Sequence, residues 1–396
     1  MTTTAKPTFQ DFLDWIETRR KEGQVVYGEQ AQAWTVLGHP EVNEMLSEPT
    51  VFGSDITSAM PQVDDELSLF SKGNFVQMDD PRHRYLRGTV SRAFTPKMVA
   101  NLEPRIEQLT NDLLDAAGTE FDLVDALAYP LPVIVIANML GIPISDQALF
   151  RQWADALLDQ DVPQDKPVAD VRAELFAKMA PVMREMNDYF LAFIRDRRRN
   201  PGDDLTSKLT QVEEDGKKLD DEEIIGFVGL LLLAGHITTT ATLGNSLLTF
   251  HENQDAIAEV RADLSLLPAA IEEVLRLRTP FPRVARVTRQ DTVLGGKEIP
   301  AGQLIAPFLT AANRDERVFA NPNRFDLHRE PNHHVTFGKG IHVCLGAPLA
   351  RLEARVALRI MFERYSDIQV VEDKVEERNP FNMVAVTKLP LVVRPV

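Results

Sequence analysis

Residues 224–250 carry no Asp, Glu, Lys or Arg, and a run of 27 uncharged residues has to be hidden from water somewhere. Length alone would let such a segment cross a bilayer as a helix. Its content argues against that: four glycines, five threonines, Asn245, Ser246 and His236 lie within it, and it is a single run in mid-chain. Just before it, residues 220–223 (Asp-Asp-Glu-Glu) supply an N-cap and an acidic first turn that suit the positive end of a helix dipole. The pattern therefore predicts one long helix, apolar on all sides and buried through the centre of a globular protein. At about 1.5 Å per residue it runs roughly 40 Å, enough to cross a large domain.

The rest of the chain reads as mainly α with a small β portion. Apolar residues recur every three or four positions over 98–117, 168–199 and 349–365, which predicts amphipathic helices. Short strand patterns occupy 24–27, 33–37, 292–294, 304–308 and 389–393, with turn signals at Gly295-Gly296 and Pro300-Ala301-Gly302. Residues 52–77 and 159–169 are weakly patterned, as functional lids often are. With 44% hydrophobic and 26% charged residues, 396 residues suffice for a large core, here taken as a single domain over 1–396.

Charge narrows the function. The 43 basic and 59 acidic residues leave a net charge of −16, which disfavours general binding to nucleic acid or anionic lipid. Arg82, Arg84, Arg87, Arg92 and Lys97 form a local basic segment, readable either as a solvated helix face or as a docking surface for an acidic electron donor. The first ten residues lack a basic region followed by an apolar stretch, so no secretory signal or membrane anchor is expected, and a lone cysteine suits a reducing, cytoplasmic setting.

That cysteine, Cys344, stands in Phe337, Gly338, Lys339, Gly340, Ile341, His342, Val343, Cys344, Leu345, Gly346. Without a second thiol it closes no internal disulfide. Gly338 and Gly340 suit a tight loop that a flat ligand approaches closely, since glycine tolerates positive φ and has no Cβ. From Leu345 onward the pattern is helical, and a thiolate at a helix start is stabilised by the dipole and by free amides, which lowers its pKa and readies it for a metal. The bland alternative is a buried, inert thiol. A zinc site from His328, His333, His334, His342 and Cys344 has acceptable residue types, but the paired short knuckles of structural zinc are missing; His333-His334 reads as a solvated or structural pair.

The run Phe-Gly-x-Gly-x-His-x-Cys-x-Gly resembles the haem-binding loop of the cytochrome P-450 family at every fixed position. The resemblance implies that Cys344 is the proximal ligand of a haem b iron, with Phe337, Gly338 and Gly346 shaping the loop. Thiolate ligation favours O–O cleavage and separates such proteins from histidine-ligated oxygen carriers. Within the central helix, Ala234, Gly235, His236, Ile237, Thr238, Thr239 resembles the family's oxygen-binding segment. By that likeness the small pair opens a groove over the haem and Thr238 holds the water that supplies protons; a threonine in a buried helix otherwise bonds its own i−4 carbonyl. Ile237 stands where the family usually places an acid, so either His236, Thr239 or a substrate hydroxyl is the expected relay, or turnover leaks reducing power to peroxide, or the chemistry differs from ordinary hydroxylation.

Glu273, Val274, Leu275, Arg276 resembles the family's Glu-x-x-Arg signature, a spacing that by itself describes any i,i+3 helix pair. The likeness implies a buried charge triad completed by Arg324 and a structural role, with loss of haem when it is broken. Four residues resemble the clamps on the haem propionates: His83 and Arg87, one helical turn apart, Arg286 and His342. Arginine suits carboxylates through its bidentate fork.

The resemblance covers nearly the whole chain and implies a soluble bacterial-type monooxygenase that hydroxylates or epoxidises with O2. No Gly-x-Gly-x-x-Gly follows a strand, so electrons come from separate proteins, a ferredoxin or flavodoxin with its NAD(P)H reductase. Expected pocket walls are 52–76, 149–193, the face around Leu233 and His236, 280–284 and Asn382-Met383. Most are apolar, which favours a bulky lipophilic substrate with few polar handles, a polyketide, macrolide or peptide natural product of secondary metabolism. A monomer is expected. The alternatives are a peroxide-driven haem-thiolate oxidase, a nitric oxide reductase, and a non-catalytic haem-thiolate sensor.

Overall fold

The structure, a computed structural model, describes residues 6–57, 72–158, 168–214 and 216–396. The expected lid 159–169 and pocket wall 52–76 therefore lie partly outside the described residues.

The uncharged run forms the helix Asp221–Glu252, opened by a capping box in which Asp220 and Glu223 satisfy each other's backbone amides. Its residues are buried around the whole circumference over most of its length, as expected for a helix with no polar face. It packs against Pro130–Leu140, Val168–Arg199, Leu267–Leu277 and Ala347–Arg364. It is the one helix among the described residues long and apolar enough to cross a membrane, and 61% of its most apolar window is buried inside the protein. Each Leu, Ile or Phe so buried contributes about 1.5–3 kcal/mol, and neighbouring helices supply the contact that lipid would otherwise provide.

The helix expected over 98–117 is two: Pro96–Ala100, capped by the Thr95 hydroxyl on the Met98 amide, and Glu103–Ala117. Pro104 sits in the first turn of the second, where its missing N–H costs nothing, and it bars a continuous helix through residues 100–104. The helix over 168–199 has the expected bounds. Trp153, Tyr189 and Phe190 join it to Gln147–Leu158 edge to face, with ring centroids 5.6 and 5.9 Å from Trp153.

The larger sheet has the order Val25–Gly28, Ala33–Val36, Leu304–Pro307, Arg286–Thr288, Phe52–Gly53. Val25 pairs with Val36, Trp34 runs parallel to Ile305, and Ile305 faces Arg286 across an antiparallel ladder. This register brings Arg286 to the functional loop, while Val25, Val36, Phe52 and Ile305 fill the core beneath. A second sheet orders Tyr365–Val370, Pro390–Pro395 and Glu120–Asp122.

Candidate functional site

Cys344 ends a loop folded on itself: Gly338 N–H donates to Val335 O at 2.8 Å and Cys344 N–H donates to Phe337 O at 2.8 Å. Gly338 and Gly340 have φ of 69° and 68°, the left-handed region that side chains resist. Any Cβ on Gly340 would also strike the Leu46 carbonyl oxygen of the helix His39–Ser47. Gly346 is the N-cap, and the helix begins at Ala347, two residues later than the sequence suggests.

The thiol does not show the lowered pKa expected from the helix start. Burial pushes it up, and the amides of Gly346 and Ala347 together with Arg87 and Arg351 only partly offset this. The side chain nevertheless has open surface. Both observations fit a sulfur at the foot of a recess, where surrounding protein removes solvent from a group still open on one side.

Beside it converge the four basic residues singled out above. The His83 and His342 rings meet at a tilt of 49° with centroids 4.2 Å apart, and none of their four ring nitrogens has a hydrogen-bond partner. His83 Nδ1 lies 3.4 Å from Asp80 Oδ1, a loose contact. Burial lowers the pKa of both rings, that of His342 to about 3, with Arg286, Arg87 and His83 adding repulsion. Both are therefore neutral at pH 7, each with an N–H awaiting an acceptor. Arg87 donates to Val343 O at 2.5 Å, and Arg286 is 7% exposed with only the Ala285 carbonyl for a partner, at 2.7 Å. Burial also lowers the pKa of both arginines. Buried donors of this kind need acceptors, and a flat group carrying two carboxylates next to a ligating sulfur fits the set.

Behind the loop, Arg276 and Glu273 are fully buried and paired twice, Nε to Oε2 at 2.8 Å and Nη2 to Oε1 at 2.7 Å. The third member is Arg329, not Arg324. Arg329 Nε reaches the Glu273 oxygens at 3.0 and 3.2 Å, whereas Arg324 is exposed and offers only its carbonyl, to Arg276 at 3.1 Å. Each arginine closes a turn of its own, Arg324 on the Asn321 carbonyl and Arg329 on that of Asp326, and residue type alone does not choose between them. Arg276 also donates to Asn313 O and Pro322 O, both at 2.7 Å, while Asn332 and the Asp326 amide complete Glu273.

A second brace was not legible in the sequence. Glu272 accepts from Arg351 at 2.6 and 2.8 Å and contacts His334 at 3.0 Å, while Arg351 lies over the Phe337 ring at 4.3 Å. It ties the Glu-x-x-Arg helix, the loop and the following helix together. Burial would raise the Glu272 carboxyl, but these hydrogen bonds more than offset that and hold it at about 2. His334 is thus structural, and His333 gives its carbonyl to His39. His328 contacts Glu259 instead.

On the central helix, Ala234 is exposed, Gly235 and Thr238 are half-buried, and Thr239 is buried. Thr238 donates to Ala234 O at 2.9 Å, one of a ladder in which Thr239, Thr240, Thr242 and Ser246 each bond an i−4 carbonyl. Its proton being committed, the Thr238 oxygen presents lone pairs only. Ile237 packs with Leu233, Ala241, Met383 and Ala385, so the acid position is filled by an apolar contact. His236 is an unsuitable relay: its Nδ1 is tied to Leu232 O, and burial lowers its pKa to about 4. Its Nε2 and the Tyr129 hydroxyl lack partners; both residues line a cavity of about 190 Å3 with Arg151, Asp155, Ile237 and Arg378. A larger cleft, about 750 Å3, lies between Phe9–Glu22 and the segment around Arg278, Arg314 and Phe325; none of the Cys344 loop lines it.

Comparison with known proteins agrees with this geometry. The family model described as Cytochrome P450 matches residues 26–394. The chain is 43% identical over 371 residues to an erythromycin C-12 hydroxylase of Saccharopolyspora erythraea, covering 92% of this chain and 89% of that one. It is 41% identical over 361 residues to the cyclomarin C epoxidase CymV of Salinispora arenicola, covering 90% and 89%. A solved structure of a mutant of P450 EryK in complex with erythromycin B superposes with a TM-score of 0.89 at 38% identity, covering 97% of this chain and 96% of that one.

Proposed function

The chain belongs to the cytochrome P450 family and is a haem-thiolate monooxygenase with haem b as its cofactor, and from that premise we propose how its own residues serve the reaction and on what substrate. The substrate is a bulky lipophilic natural product of the macrolide, polyketide or peptide class, hydroxylated or epoxidised. The relatives' named activities on erythromycin and cyclomarin support this, as does the apolar wall of Leu233, Ile237 and Met383. The protein works as one domain over 1–396, a cytoplasmic monomer.

The observation that carries the reading is the meeting of Cys344 with two histidines whose ring nitrogens lack partners and two arginines that each bond a single backbone carbonyl. Cys344 Sγ would ligate the iron, with the Gly346 and Ala347 amides donating toward its charge. His83, Arg87, Arg286 and His342 would hold the two propionates, the histidines gaining the acceptor they lack and the arginines a charged one beside their carbonyl. Phe337, Gly338 and Gly346 shape the approach to the sulfur. The bound haem supplies the oxidising power drawn from O2, chemistry that belongs to the cofactor. Thr238 Oγ1 accepts from a water and orients it; Ala234 and Gly235 leave it room. Ile237 excludes water from the place where an acid would stand, so the proton comes through a substrate hydroxyl and its attached waters, with Thr239 too deeply buried to relay. Glu273, Arg276 and Arg329 keep the loop in register.

Electrons arrive from a ferredoxin or flavodoxin with an NAD(P)H reductase. The exposed Arg82, Arg84, Arg92 and Lys97 supply the docking charge, while Arg87 turns inward to the propionates. Ile237 also favours a second reading, a peroxide-driven oxidase, in which peroxide brings its own two protons and two electrons and none is delivered from bulk water. Reconstituted turnover with 18O-labelled O2 on macrolide and peptide substrates tests both. One labelled oxygen in product is expected, with product per NADH falling several-fold on analogues lacking one hydroxyl and recovering in Ile237→Glu. Unlabelled product, or unchanged coupling across all analogues, contradicts the relay. Turnover with peroxide alone favours the second reading.

A further inference from the structure

The cleft of about 750 Å3 beside the helix Phe9–Glu22 has two walls of different charge. On the helix, Gln10, Asp14, Glu17 and Lys21 recur every three or four positions, so they share one face, and all four are exposed. The other wall carries Arg278, Arg314 and Arg324, with Thr249 and Glu252 from the end of the central helix. Phe9 reaches over two of these arginines, its ring centre 4.8 Å from the Arg278 guanidinium and 5.6 Å from that of Arg314. Asp14 accepts from Gln10 at 2.8 Å, within its own helix, and among the described residues no hydrogen bond or ion pair joins Asp14, Glu17 or Lys21 to the arginine wall.

Two residues that line the cleft carry buried polar atoms with no partner. Thr238, Thr239, Thr240, Thr242 and Ser246 each bond the carbonyl four residues back, but Thr249, 2% exposed, does not, and its hydroxyl is unbonded. Arg314, 7% exposed, donates to Asn323 Oδ1 at 2.6 Å and to Leu277 O at 2.9 Å, while its Nε is buried without an acceptor. Arg276 and Arg278 are each paired with a carboxylate, of Glu273 and Glu252, and Arg314 with none. Burial and repulsion from Arg276, Arg278 and Arg20 lower its pKa to about 9, which Glu273 offsets only in part. Lys21 and Arg324 are exposed, and their side chains have no hydrogen bond or ion pair among the described residues. Buried donors need acceptors, and none within the chain reaches this one.

We propose that this cleft is a second ligand site, separate from the haem, for a small hydroxylated organic anion: its phosphate or carboxylate lies toward Arg314 and Arg324, and its hydroxyls toward Asp14, Glu17 and Thr249. The arginine wall supplies the forked donors that suit an oxyanion. The acidic stripe opposite accepts from O–H groups and repels a second negative charge, which selects a singly charged head on a polyhydroxylated body over a bare ion. The site is independent of the monooxygenase reading, since none of the Cys344 loop lines it.

Calorimetry on the full-length, haem-loaded protein, in phosphate-free buffer of fixed ionic strength, compares glucose 6-phosphate, gluconate, glucose and inorganic phosphate. Glucose 6-phosphate or gluconate is expected to bind once per chain, at least about tenfold tighter than glucose or inorganic phosphate, without moving the ferric Soret band; whichever binds tighter identifies the anion. Arg324→Gln should weaken that binding about 3- to 10-fold and Thr249→Val about threefold, while Lys297→Gln, an exposed charge outside the cleft, should leave it unchanged. Arg314→Gln should abolish it; should that variant fail to fold, the Arg324 and Thr249 variants decide. No binding by either hydroxylated anion overturns the proposal, and so does inorganic phosphate binding as tightly, which would show an adventitious ion only. Binding that persists unweakened in folded Arg324→Gln and Thr249→Val, or that shifts the Soret band and so reports the haem pocket, overturns it as well.

Discussion

Behind the Cys344 loop the Glu273 carboxylate accepts from Arg276, Arg329, Asn332 and the Asp326 amide, whereas in front of it His83, His342 and Tyr129 end in polar atoms with no partner. Both regions are buried and rich in basic residues, yet only the first is closed on itself. The difference separates scaffold from receptor. A polar group that holds the chain together finds its partner within the chain, and one that receives a ligand is left waiting. The acid position follows the same logic from the other side: Ile237 is fully engaged by apolar neighbours and is closed to proton traffic.

The comparison breaks most visibly at Glu273. Glu273→Ala, Arg276→Ala or Arg329→Ala strands a buried charge, which should cost about 3–5 kcal/mol and abolish haem incorporation. Arg324→Ala, whose exposed side chain makes no contact with Glu273, should stay within about 0.5 kcal/mol of wild type. Urea unfolding and haem content check both; a large loss for Arg324→Ala with a mild Arg329→Ala would restore the assignment made from sequence.

A smaller effect should come from Glu272. Its carboxyl is held at about 2 against an ordinary 4.5, a depressed folded value, so its contribution is complete above pH 4.5 and is lost as pH falls toward 2. That contribution is about 2–3 kcal/mol. Glu272→Gln should lower stability by this order at pH 7 and converge on wild type near pH 2. Parallel curves down to pH 2 would show that the brace with Arg351 and His334 carries no net weight.

Legibility in the sequence followed the range of each interaction. The central helix was readable because its capping box and its lack of charge are local, and the Cys344 loop because glycines, histidine and cysteine sit within ten residues. The short strands 25–28, 33–36 and 304–307 are legible within a residue or two, but Tyr365–Val370, Arg286–Thr288 and Glu120–Asp122 are not, since Arg-Val-Thr and Glu-Phe-Asp hold one apolar residue each and the bulge after Tyr365 breaks the alternation of the third. Arg329 and Arg324 are five residues apart, each closing a turn, and only three-dimensional packing decides which points inward. The Glu272 brace joins three separate segments through side chains that each look like ordinary surface charges. The thiol's helix start was legible, but not the burial that outweighs it.

The central claim is that the Cys344 sulfur is the iron ligand. Its most direct measurement is the ferrous carbonyl absorption spectrum of wild type beside Cys344→Ser, both purified with haem supplied. The account predicts the long-wavelength Soret band of thiolate ligation in wild type and its complete loss in the serine variant. A wild type without that band, or a serine variant that retains it, contradicts the account.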